Sequence, residues 1–150
     1  MQVQALGHVV LKVSDLHRSE GFYSSQLGMR IISRNLDPRM TFFTLGTPGI
    51  HHDFALMELG PTFSKPEHEA TGLAHVAFKV GESVETLSLV RKVLHASGTP
   101  VLYEAERTFT KSVHVLDPDG NEIELYVDTQ NVAPFRRPGA GRQGAGTGSV

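Results

Sequence analysis

Leu6-Gly7-His8-Val9-Val10-Leu11-Lys12-Val13 and, 67 positions later (75 − 8), Leu73-Ala74-His75-Val76-Ala77-Phe78-Lys79-Val80 are two copies of one pattern. Each copy alternates, so each reads as a half-buried strand. Val9, Leu11 and Val13 share one face, and His8, Val10 and Lys12 the other. In the second copy Val76, Phe78 and Val80 oppose His75, Ala77 and Lys79. Each strand thus shows a histidine on its less apolar face.

Working outward, a helical stretch follows each strand. The first starts at Ser14 or Asp15, buries Phe22, Tyr23 and Leu27, and stops at Gly28. The second starts at Ser83, places Leu87, Val90 and Leu94 at helical spacing, and stops at Gly98. Ser and Asp suit the start of a helix, and Gly suits its left-handed exit. Strand-like runs come next, at Met29–Ser33, Met40–Leu45 and Asp53–Leu59, then at Val101–Glu104, Ser112–Leu116 and Glu122–Val127. The order β-α-β-β-β therefore occurs twice. One such unit covers its sheet poorly alone, which predicts an α+β fold in which two modules pair into one curved mixed sheet, helices outside. The modules span about 4–62 and 71–129 of a single domain, 1–132. Residues 133–150 hold five of the fifteen glycines and read as a disordered tail.

Composition narrows the function. The net charge is −2 and the pI about 6.4, which leaves no basic footprint for nucleic acid or a membrane surface. There is no cysteine, so disulfides and thiolate metal sites are excluded. No apolar run is long enough to span a bilayer and no leader is read, so a cytoplasmic location is expected.

Eight histidines in 150 residues need individual readings. Asp117-Pro118-Asp119-Gly120 is a strong turn signal, so the runs on either side should form a hairpin. Its polar face carries His114 together with Glu124 or Glu122, beside His75. In the first module, alternation from His51-His52 onward puts His52 and Glu58 on one face near His8, and sends His51 to the opposite, structural side. Imidazoles and carboxylates gathered on a concave surface need a shared partner, and a divalent cation supplies one. Two imidazoles and one carboxylate suit non-haem Fe(II), with Mn(II), Zn(II), Ni(II) or Co(II) as alternatives. His17 and His95 read as helix surface, His68 as loop surface, and Lys12 and Lys79 as rim charges.

These residues resemble the vicinal oxygen chelate superfamily, which includes glyoxalase I, extradiol dioxygenases, fosfomycin-resistance thiol transferases and bleomycin-binding proteins. The motifs are LGHVVLKVSDLHRSEGFYSSQLGM, GLAHVAFKV and VLDPDGNEIELY, and the likeness runs from about Leu6 to Val127. It implies that His8, His75 and Glu124 are metal ligands. His51-His52-Asp53-Phe54-Ala55-Leu56 resembles the extradiol segment whose second histidine is the acid–base, here His52. Ala55-Leu56-Met57-Glu58-Leu59 resembles the segment where glyoxalase I places a fourth ligand, here Glu58. Extradiol dioxygenases carry a tyrosine ten residues before the carboxylate ligand, and this chain has His114 there, assigned to stabilise a developing oxyanion. Arg34, Arg39 and Arg107 are the cations available for glutathione. The resemblance thus implies an extradiol-type dioxygenase acting on a catechol-like substrate with vicinal oxygens. The alternatives are a glyoxalase I-like lyase or isomerase, an epimerase, or a drug-binding resistance protein. A homodimer is expected.

Overall fold

Both repeats fold as the alternation predicts, with shifted edges. The computed structural model describes residues 1–63 and 70–129, so His68 and the proposed tail lie outside the described residues. β1 (Val9–Val13) begins just after His8, because its ladder with β4 (Phe54–Glu58) starts where the Val9 N–H donates to the Asp53 carbonyl at 3.2 Å. α1 (Leu16–Glu20) is capped by the Asp15 carboxylate, which accepts from the Arg18 N–H at 2.9 Å. The single helix expected as far as Gly28 instead widens into a π-helical turn over Gly21–Gln26. There the Leu27 N–H reaches back five residues to the Phe22 carbonyl at 3.1 Å. Phe22 and the adjacent Tyr23 are both buried in this turn.

β2 (Arg30–Leu36) and β3 (Arg39–Thr44) complete the first module, and its sheet runs β1-β4-β3-β2. The second module repeats this order. β5 (Val76–Gly81), α2 (Val84–Ala96), β6 (Val101–Glu106), β7 (Thr110–Leu116) and β8 (Glu122–Asp128) form the sheet β5-β8-β7-β6. In each sheet the first strand lies parallel to the last, and the other pairings are antiparallel. Leu87 and Leu94 of α2 are buried, as their spacing requires.

The two sheets remain separate hydrogen-bonded units, joined through side chains on their helix-covered faces. One buried cluster takes Leu11, Tyr23 and Phe54 from the first module and Phe78, Val113 and Leu125 from the second. Phe54 meets Phe78 edge-on with ring centroids 5.5 Å apart. The turn at Asp117–Gly120 forms as expected and also locks the modules together. The Tyr23 hydroxyl donates to Asp117 Oδ2 at 2.8 Å, and Asp119 accepts from the Ser14 N–H at 3.1 Å and from the Arg18 guanidinium at 2.9 Å. No helix among the described residues is long and apolar enough to cross a membrane.

Candidate metal centre

The second module assembles its polar face around β8, the strand between β5 and β7. Ile123, Leu125 and Val127 turn into the core, which leaves Glu122 and Glu124 on the opposite face. His114 is the direct cross-strand partner of Glu124. His75 precedes β5, and its Nε2 lies 3.2 Å from Glu124 Oε2. His114 Nε2 lies 3.6 Å from the other oxygen, Oε1. One carboxylate therefore faces two imidazoles.

Behind His114 stands a second carboxylate. Glu122 Oε1 is 2.8 Å from His114 Nδ1 and accepts the Tyr103 hydroxyl at 2.5 Å. The Tyr103 ring also stacks on His114, with centroids 4.2 Å apart. The Tyr103 hydrogen bond, followed by that from His114, holds Glu122 below the usual carboxylate range against its partial burial. Sequence reading left Glu122 undecided and missed Tyr103. Glu122 was visible as the same-face neighbour of Glu124. Tyr103 was not, because its place beside His114 depends on the β6–β7 register.

The first module gathers a smaller group. The rings of His8 and His52 are 4.3 Å apart, and His52 meets Phe42 edge-on at 5.1 Å. His51 is close as well, with its Nδ1 2.7 Å from that of His52, rather than on a remote structural side. Partial burial, then the neighbouring His8 and His51, push the His52 pKa below its ordinary value.

Glu58 lies elsewhere, and the expected face shared with His52 does not form. His51 to Asp53 precede β4, so strand alternation does not carry through them. Within β4, Glu58 falls on the side of Phe54 and Leu56, which are core residues. There its Oε2 accepts the Leu16 N–H at 2.9 Å, and its Oε1 pairs with Arg39 at 2.5 Å. The registers identify the true repeat partner of Glu124. Ala77, two residues after His75, pairs with Glu124, whereas Val10, two residues after His8, pairs with Ala55. The first module thus presents an alanine where the second presents its carboxylate.

Among the described residues, no hydrogen bond, ion pair or ring contact joins the His8–His52 group to the His75–Glu124–His114 group. Nor, among them, do three or more such side chains converge on one metal position. The donor chemistry of imidazoles facing a carboxylate nonetheless fits a borderline divalent ion. Of the cations considered for glutathione, Arg34 is paired with Glu20 and Arg39 with Glu58. A cavity of about 700 Å³ between α2 and the first module is lined mainly by residues such as Leu27, Met29, Phe78 and Val90, and by none of these histidines.

Comparison with known proteins follows the same lines. The family model described as Glyoxalase/Bleomycin resistance protein/Dioxygenase superfamily matches residues 5–125. A lactoylglutathione lyase from Haemophilus influenzae is 35% identical over 125 residues, covering 79% of this chain and 88% of that protein. A biphenyl-2,3-diol 1,2-dioxygenase from Rhodococcus globerulus is 32% identical over 128 residues, covering 82% of this chain and 63% of that protein. The crystal structure of a glyoxylase/bleomycin resistance protein/dioxygenase domain from Frankia sp. EAN1pec superposes with a TM-score of 0.70 at 23% identity, covering 85% of this chain and 99% of that one.

Proposed function

The chain belongs to the Glyoxalase/Bleomycin resistance protein/Dioxygenase superfamily, and on that premise we propose that it is a metal-dependent, extradiol-type ring-cleaving dioxygenase acting on a catechol-like substrate. The observation that carries this reading is the fate of the second carboxylate. Glu58 is held by the Leu16 N–H and Arg39, and Ala55 takes the place equivalent to Glu124. The proposed ligands are then two histidines and one carboxylate, His8, His75 and Glu124, of which His8 lies with His52 and the other two lie together with His114. That set suits Fe(II) with open positions.

Bound there, the ion supplies Lewis acidity and one-electron exchange. His52 is the proposed acid–base group. Its lowered pKa keeps the imidazole neutral at working pH, ready to accept a proton from a substrate hydroxyl and return it during ring opening. Phe42, edge-on to His52, sets an apolar wall against which a flat ring can lie. The separation of the two half-clusters supports a homodimer, in which His8 and His52 of one copy face His75 and Glu124 of a second.

The higher identity to the lactoylglutathione lyase favours an isomerase as the second reading. The test is anaerobic loading with Fe(II), followed by oxygen and a panel of catechols. Oxygen uptake with a yellow ring-opened product is expected. Loaded protein that consumes no oxygen with any catechol overturns the dioxygenase reading.

A further inference from the structure

His51 is the histidine of the first-module group to which the reaction above gives no task. Its Nδ1 lies 2.7 Å from Nδ1 of His52. At that distance one ring donates its N–H and the other accepts with its lone pair. A neutral imidazole carries its proton on one nitrogen only, so the direction of this bond fixes both tautomers. If His51 donated, His52 would carry its own proton on Nε2 and have no lone pair there. If His52 donates, its Nε2 keeps a free lone pair. That Nε2 makes no hydrogen bond among the described residues, so it is the nitrogen open to a substrate. The ring is also held against turning over. His8 packs on it with centroids 4.3 Å apart, Phe42 meets it edge-on at 5.1 Å, and His51 meets it edge-on at 5.0 Å. The usual orienting partner of a working histidine is a carboxylate or a backbone carbonyl. The carboxylate next in sequence, Asp53, is engaged elsewhere, accepting from the Thr44 hydroxyl at 3.2 Å and the Leu45 N–H at 2.7 Å.

We infer that His51 is a positioning residue: its Nδ1 accepts the Nδ1–H of His52 and so keeps the lone pair of His52 on Nε2, where a substrate hydroxyl gives up its proton. The inference rests on the acid–base role given to His52 above and names the residue that sets its tautomer. The same contact acts again once the proton has moved. The substrate O–H bond breaks, an N–H bond forms at His52 Nε2, and the His52 ring becomes a cation. Its Nδ1–H bond to His51 is then charge-assisted, and such bonds are about twice as strong as neutral ones. Return of the proton during ring opening restores the starting tautomer, and His51 gains and loses no proton in the cycle.

The tautomer is read from the histidine ring ¹⁵N resonances of the metal-free protein, about two pH units above the ordinary histidine value of about 6.5, where the rings are neutral. The His52 signals are assigned by their loss in His52→Gln. Wild type should show His52 protonated on Nδ1 and bare on Nε2. His51→Phe keeps a ring beside His52 but removes the acceptor. There His52 should lose its Nδ1–H preference, and kcat with a catechol and Fe(II)-loaded protein should fall at unchanged KM. The expected fall is about tenfold to hundredfold, as for removing the partner that orients a ligating histidine. His51→Asp supplies a group that only accepts, at a similar reach from Cβ, and should restore the Nδ1–H form and most of the lost kcat. His51 is exposed, so both variants should fold. Wild-type His52 with its proton on Nε2, or a His51→Phe variant that keeps either the wild-type His52 tautomer or the wild-type kcat, overturns the inference and leaves the dioxygenase reading standing. Wild type that has the expected tautomer but consumes no oxygen with any catechol overturns the dioxygenase reading, while the resonances of the two variants still decide whether His51 orients His52.

Discussion

At the scale of single residues, His52 and Glu58 are where the two proposed readings part. His52 packs on His8 and Phe42, while Glu58 caps the start of α1 and pairs with Arg39. His52→Ala should therefore lower kcat by about 10²- to 10⁴-fold, the usual contribution of a positioned acid–base group. Glu58→Gln should leave turnover near wild type. Steady-state kinetics on the two variants checks this, and the reverse pattern favours the isomerase. The histidines at the head of each repeat were legible because alternation and repetition are properties of the chain itself. The place of Glu58 was not. The chain bends before β4, and only the β1–β4 register reveals that Ala55 occupies the position of the missing carboxylate.

At the scale of elements, α1 is tied to its own sheet by one carboxylate. Glu20 accepts from Arg34 of β2 at 2.8 Å and from the Thr41 hydroxyl of β3. The Arg34 contact, then Thr41, lowers the Glu20 pKa from its ordinary 4.5 in spite of partial burial. A folded-state pKa below the unfolded value contributes stability that is present above pH 4.5 and lost as pH falls through the lowered value. Urea unfolding of wild type and Glu20→Gln should thus differ at neutral pH and converge in acid. The end of α2 gives a cleaner case. Gly98 has φ +71°, and no atom lies within 4 Å of a Cβ built there, so the cost of Gly98→Ala is backbone strain alone. It should be about 1–2 kcal/mol by the same unfolding assay. Both helix stops were readable from glycine placement. The π-helical turn was not, since it answers to the packing of Phe22 and Tyr23.

At the scale of the whole molecule, the two modules share one core although their sheets do not join. Phe54 is fully buried, 4.8 Å from Tyr23, 5.8 Å from Phe43 and 5.5 Å from Phe78 between ring centroids. Phe54→Ala should cost about 3–5 kcal/mol. Because the cavity opens between modules, both should melt at the same lowered temperature. Calorimetry resolving two transitions, with the second module unmoved, would show that the cores are independent. By itself, the sequence determined the duplicated βαβββ order, the helix boundaries set by glycine, the Asp117–Gly120 turn and the histidines that head each repeat. These depend on periodicity and local backbone preference, which act over a few neighbouring residues. Tertiary structure alone decided that Glu58 faces the helix, that Ala55 stands opposite Val10, and that Tyr103 and Glu122 brace His114. It also decided that the matched histidines of the two repeats sit in separate clusters. These outcomes depend on strand register and module packing, which the pattern of any one segment does not contain.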